Sequence, residues 1–155
     1  MTDNSLTTER IAALTGRSLL LTRDWSRDDL DTLLAVARRF YERDLAGERH
    51  TWLTGELAYA VFFDNSTRTK SAFAGAATRL GMNPVIVDGS STQVEHGETA
   101  EETGAMLGMN AHALGIRHDK VLGAGNRFMR DVLSGIEDYL ENTGQARSVP
   151  MVNLQ

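Results

Sequence analysis

Apolar and polar positions fall in blocks along this chain, and the blocks alternate in type. The run "ELAYAVFFD" (56–64) is nearly continuous in apolar residues and predicts a strand covered on both faces. "PVIVDG" (84–89) predicts a second strand, with Pro84 tolerable only at its start. "ALGIRHD" (113–119) is a third, weaker strand, and "VPMVNL" (149–154) a fourth. Between them lie segments of helical character. "STRTKSAFAGAATRLG" (66–81) is closed by Gly81, "GETAEETGAMLGMNAH" (97–112) opens with the acidic residues that suit a helix N-terminus, and "NRFMRDVLSGIEDYLENTG" (126–144) ends at Gly144. Ahead of all these comes a short apolar run, "SLLL" (18–21), and then "WSRDDLDTLLAVARRFYERDLAG" (25–47). This last segment predicts a helix with Ser26 as N-cap, Asp29 three residues on and Gly47 as the stop. Leu30, Leu33, Leu34, Ala37, Phe40 and Tyr41 share one of its faces, as expected of a packing helix with no chemistry of its own.

The order is βαβαβαβ after a leading helix. It predicts an α/β fold, a three-layer αβα sandwich with a four-stranded parallel sheet and right-handed crossovers. Residues 1–17 are polar and predict a flexible N-terminal segment, and 18–155 a single domain. No internal repeat or low-complexity tract interrupts it.

Composition narrows the class. Over 155 residues the hydrophobic fraction is 41% and the charged fraction 24%, values of a globular chain. A net charge of −5 argues against nucleic acid or an acidic membrane surface as the main partner. Cysteine is absent, which removes disulfides and thiolate metal sites. No apolar run approaches the roughly 18 residues of a membrane span, and "MTDNSLTTER" lacks a basic-then-apolar signal pattern. A cytoplasmic protein is the expectation.

In an open parallel sheet, ligands sit beyond the carboxyl ends of the strands. Beyond the first strand stand Asn65-Ser66-Thr67-Arg68-Thr69. Amides in a first helical turn lack intrahelical acceptors and carry the positive end of the helix dipole, so they suit a phosphate. Ser66, Thr67 and Thr69 would add hydroxyl donors, and Arg68 a planar fork. The plainer alternative is that Asn65 or Ser66 is only an N-cap and Arg68 a solvated side chain. Beyond the third strand, "GIRHD" puts Arg117 at the same edge. Two arginines at an empty site would repel each other, which favours an anionic ligand; Arg117 paired with Asp119 is the alternative.

Other motifs carry less. "GAGNRF" (123–128) lacks the third glycine of a dinucleotide fingerprint, and there is no GxxxxGK[ST]. His96 stands near Glu98, Glu101 and Glu102, but nothing has the HExxH spacing of a zinc helix. His50, His112 and His118 read as surface or strand-edge residues, and Met82, Met106, Met109, Met129 and Met151 as core filler. No serine or threonine has a His–Asp relay close in sequence. A flavodoxin-like signalling domain would want acidic residues beyond the first strand, where only Asp64 stands.

The string "FFDNSTRTKSAF" resembles the phosphate loop of the aspartate and ornithine carbamoyltransferase family. "SSTQVEHGET" is similar to that family's loop after the second strand, "GIR" to its third-strand arginine, and "VPMVNLQ" to the strand before its His-Pro-x-Gln motif. "SLLLTRDWSRDDLDTLLAVARRF" resembles its opening strand and first helix, so the resemblance covers residues 18–155 in order. A knotted subgroup of unsettled amino substrate is the nearest match.

The resemblance implies a carbamoyl phosphate-binding domain. Ser66, Thr67, Arg68 and Thr69 would hold the phosphate. Arg117 would bridge phosphate and carbonyl oxygen, with Thr69 near that oxygen, so that Arg117 and Thr69 take the catalytic roles. Gln93 would act in the neighbouring subunit's site of a homotrimer. His96 stands where aspartate-type enzymes carry a lysine, which departs from their pattern. No cofactor or metal is implied. The amino-acid acceptor would bind a second domain, beyond a His-Pro-x-Gln a few residues past Gln155. Residues 1–155 alone are therefore expected to be inactive, and the face of the leading helix around Leu34 and Tyr41 to be incompletely covered, favouring self-association. The rival is a non-catalytic module of the same fold that binds a phosphorylated ligand.

Overall fold

The computed structural model describes residues 6–155, apart from the side chain of Glu95. Its elements follow the chain as α1 (Thr8–Ala12), α2 (Arg27–Leu45), β1 (Leu57–Phe62), α3 (Arg68–Arg79), β2 (Asn83–Asp88), α4 (Ala100–Gly108), β3 (Ala113–Arg117), α5 (Ala124–Asn142) and β4 (Met151–Asn153). The four strands form one parallel sheet in the order β2-β1-β3-β4. Leu19 adds a parallel bridge to Val152 at the β4 edge, so the "SLLL" run joins the sheet through a single residue.

This order fixes where the helices go. The chain steps from β1 to β2 in one direction and from β2 to β3 in the other, and right-handed crossovers then place α3 and α4 on opposite faces. Period-2 side-chain alternation in the strands matches. Val61, Leu114, Ile116 and Met151 face α5 and pack with its Met129, Val132 and Ile136. Ala58 belongs to a smaller cluster with Ala77 and Met82, against Phe73 of α3. Pro84 lies in β2, an edge strand, where a missing N–H costs no ladder bond on the open side.

Helix ends obey local chemistry. Ser26 Oγ accepts the Asp29 N–H at 3.1 Å, and Gly47 takes φ +76° beyond the last turn of α2. Thr99 and Glu102 close a reciprocal capping box on α4. Two glycines set how near α4 and α5 can come: a Cβ on Gly104 would strike the Val132 carbonyl, and one on Gly135 that of Glu101.

Within the N-terminal segment 1–17, Thr8–Ala12 form α1, which Thr7 caps; Arg10 ties it to α2 through Thr32 Oγ1 at 3.1 Å and the Asp28 carbonyl at 2.9 Å. Residues 1–5 lie outside the described residues. His50 is buried, not on the surface, its ring against Phe40 and Trp52. Met106 and Met109 are exposed, whereas Met82, Met129 and Met151 are core. Two short 3-10 turns, Gly89–Ser91 and Gln93–His96, follow β2.

The apolar face of α2 is incompletely covered, as expected: Leu34 is 66% exposed and Tyr41 63%. Of α2, Thr32 alone is fully buried among the described residues. A cavity of about 500 Å³ separates α2 from α3, lined by Phe40, Tyr41, His50, Ala72 and Ala76.

Candidate functional site

β1 and β3 are adjacent, and the chain leaves them toward opposite faces of the sheet. A crevice opens beyond such a pair of strand ends. Phe62 pairs with Arg117 on one side and Asp88 on the other, so all three stand at the carboxyl rim. The Phe63 N–H donates to the Arg117 carbonyl at 3.0 Å, carrying the pairing one residue past β1 before the loop departs.

α3 begins without a side-chain cap. Thr67 is its N-cap in the helical region of φ and ψ, and its side chain accepts no bond there. Among the described residues, the N–H groups of Ser66, Thr67, Arg68 and Thr69 have no acceptor; the first amide bonded back to this turn is that of Ser71, onto the Thr67 carbonyl at 3.1 Å. Neither Asn65 nor Ser66 therefore serves as the cap that the plainer sequence alternative required.

Arg117 comes to this loop. Its Nη1 donates to Ser66 Oγ at 3.1 Å, although the two residues are 51 apart in sequence. Nε and Nη2 both donate to Asp119 Oδ2, at 3.0 and 2.7 Å, so the pairing with Asp119 is present as well. Arg117 is partly buried and Arg68 exposed at the start of α3. The side chains of Thr67, Arg68 and Thr69 make no hydrogen bond among the described residues, which leaves them available to a ligand. Gln93 is exposed in its 3-10 turn and has no bond to Ser66 or Arg117 among the described residues. Lys70 lies over the Phe62 ring, 5.2 Å from its centroid.

Two carboxyl groups flank the site. Asp64 is half-buried, and its Oδ2 is shielded from solvent without a partner. Its pKa is raised by a hydrogen bond shared with Asp119, then by burial. Asp119 is lowered, first by that same bond and then by Arg117. The sequence placed Asp119 beside Arg117 but missed Asp64 as its neighbour; an acidic residue two positions past the end of β1 was the available signal. Asp88 is lowered by the hydroxyl and then the N–H of Ser90.

The loop after β3 folds back over the sheet. His118 packs its ring between Phe63 and Phe128, at 4.5 and 5.4 Å between centroids, with Nδ1 buried and unpartnered. Gly125 permits this, since a Cβ there would strike the His118 carbonyl. Of the glycines of "GAGNRF", Gly125 thus serves a close backbone approach and Gly123 takes φ +78° at the N-cap of α5. Among the described residues no group of His, Cys, Asp and Glu is placed to hold a metal, and no helix is long and apolar enough to cross a membrane.

A family model of the aspartate/ornithine carbamoyltransferase carbamoyl-P binding domain matches residues 17–155. The chain belongs to this family. Over 152 residues it is 36% identical to the putative carbamoyltransferase YgeW of Escherichia coli K12, covering 98% of this chain and 37% of that protein. It is 31% identical over 133 residues to a catabolic ornithine carbamoyltransferase of Bacillus licheniformis, covering 84% of this chain and 40% of that protein. The chain thus spans well under half the length of the curated relatives it matches. Among solved structures, aspartate transcarbamoylase from Trypanosoma cruzi in complex with carbamoyl phosphate superposes with a TM-score of 0.71 at 26% identity, over 96% of this chain and 43% of that one. The matched residues include β1 and β3.

Proposed function

We propose that residues 1–155 bind carbamoyl phosphate at the carboxyl rim of β1 and β3 and supply that half of a carbamoyltransferase active site. The observation that carries this is the convergence of Arg117 on Ser66, beside four amides with no acceptor. Free N–H groups at a helix start, a guanidinium across from them and a second guanidinium at Arg68 are the donors a phosphate requires. Complexes of similar enzymes with carbamoyl phosphate support the choice among phosphorylated ligands.

In this proposal Ser66, Thr67, Arg68 and Thr69 hold the phosphate. Arg117 bridges it to the carbonyl oxygen, with the Thr69 hydroxyl close by. The acceptor's amine attacks the carbamoyl carbon, a C–N bond forms, the C–O bond to phosphate breaks, and the amine loses a proton. Negative charge grows on the carbonyl oxygen and the departing phosphate, where fixed donors act with no reorganisation. Losing one such donor costs about 3 kcal/mol of barrier, roughly a hundredfold in rate. The acceptor, an amino acid or related amine, binds outside residues 1–155. Gln93, exposed on its turn, reaches a neighbouring subunit of a trimer in a cytoplasmic enzyme.

Titration calorimetry with carbamoyl phosphate and with plain phosphate is the deciding experiment. Carbamoyl phosphate is expected to bind more tightly, and Arg68→Ala and Arg117→Ala to abolish detectable binding. Normal binding by both variants would remove the assignment, and equal affinity for the two anions would reduce it to generic anion capture.

A further inference from the structure

A guanidinium offers five N–H donors, and Arg117 spends three of them within the chain. Two of the three meet a single oxygen, Asp119 Oδ2. That is a poorer use of the fork than a bidentate pair, in which each donor has its own oxygen. Asp119 is also the partner of Asp64, whose second oxygen is buried with nothing to bond. Two carboxyl groups side by side repel when both are ionised, and the Arg117 guanidinium beside Asp119 offsets part of that repulsion. The pKa of Asp64 is accordingly raised and that of Asp119 lowered.

The ion pair stands at the rim of the crevice, beside the four amides at 66–69 that have no acceptor among the described residues. We propose that Asp119 is the resident counter-ion of Arg117: it pairs with the guanidinium until a ligand's oxyanion takes its place. This deepens the anion-binding reading above and rests on it. Occupancy of Arg117 by Asp119 keeps the guanidinium oriented with Nη1 toward Ser66. It also sets the ligand a threshold, because only an anion offering more oxygens than one carboxylate gains by the exchange. A phosphate group does; a lone carboxylate does not. Asp119 is in this sense a specificity residue that never needs to touch the ligand.

The sign of its removal is unusual and makes the test clean. Asp119→Asn should raise affinity for inorganic phosphate and for carbamoyl phosphate about tenfold, roughly the loss of one competing charged hydrogen-bonded partner. A variant that merely folded badly would bind less. Asp119→Ser is the second variant, and whichever of the two keeps the parent's circular dichroism is used. Asp88→Asn is the charge control: it removes an equal charge at the same rim, but on the far side of Phe62 from Arg117. It should change affinity less than about twofold. Unchanged or weaker binding by the folded Asp119 variant, or an equal gain in Asp88→Asn, overturns the proposal. Equal phosphate binding by the parent chain and Arg117→Ala would show that the anion site itself is misplaced, and the two failures are thereby told apart.

Discussion

The two faces of the sheet are built to different standards. On one, α4 and α5 close on each other through Gly104 and Gly135, and Met129, Val132 and Ile136 of α5 are sealed against β1, β3 and β4. On the other, α3 meets the sheet through Phe73 and Ala77, with Met82 of the following turn beside them, while α2 stands off behind a cavity of about 500 Å³ with Leu34 and Tyr41 in solvent. The site straddles this difference. Arg117 sits on β3, anchored by the dense face, and the free amides belong to α3, on the sparse one. Geometry that must be rigid comes from the packed side; the side that must receive a ligand has less holding it.

The sharpest way to break the comparison is in the dense face. Met129→Ala should cost about 3 kcal/mol, since the side chain is fully buried and its neighbours cannot collapse into the space. Gly135→Ala should cost about 2 kcal/mol, because the new Cβ meets the rigid Glu101 carbonyl and not a movable side chain. Urea denaturation measures both. On the sparse face, Leu34→Ser should shift stability by no more than about 0.5 kcal/mol. A larger loss there would mean that α2 is packed more tightly than its exposure indicates.

The smallest effect lies at the seam and depends on pH. Asp64 is raised above the ordinary 3.8, so its contribution is fully present below that value and is lost as pH rises through its folded pKa. Asp119 is lowered, so its contribution is present above 3.8 and lost as pH falls through its own folded pKa. Asp64→Asn should therefore flatten the stability profile only on the side above 3.8. Stepped-pH denaturation checks this, and flattening only on the lower side would reverse the assignment within the pair.

Much of this was readable in the order of residues. The strands appear as apolar blocks, most clearly the central β1 and β3, and all four lie within two residues of their expected bounds. Loop chemistry was readable because it interrupts those blocks: nothing in a helix or strand calls for Ser-Thr-Arg-Thr at 66–69. What could not be read depends on partners remote in sequence. His50 is buried because Phe40 and Trp52 close on its ring, and neither contact has a local pattern. Met106 and Met109 are exposed because α4 turns its glycines, not its methionines, toward α5. Asp64 and Asp119 meet only because β1 and β3 are neighbours, which the alternation of elements does not specify. The capping box at Thr99 and Glu102, by contrast, was local and could have been recognised from its spacing alone.

The pairing of Leu19 with the last strand has a consequence for how the protein is made. Leu19 donates to the Met151 carbonyl at 2.8 Å and accepts from the Asn153 N–H at 2.9 Å, so an early segment waits for residues synthesised more than a hundred positions later. During translation β1, α3 and β2 can assemble as they emerge, but this margin of the sheet stays unstitched until residue 153 has cleared the ribosome. A nascent chain stalled before that point should leave the Leu19 segment open to protease while the β1–β2 half is already protected.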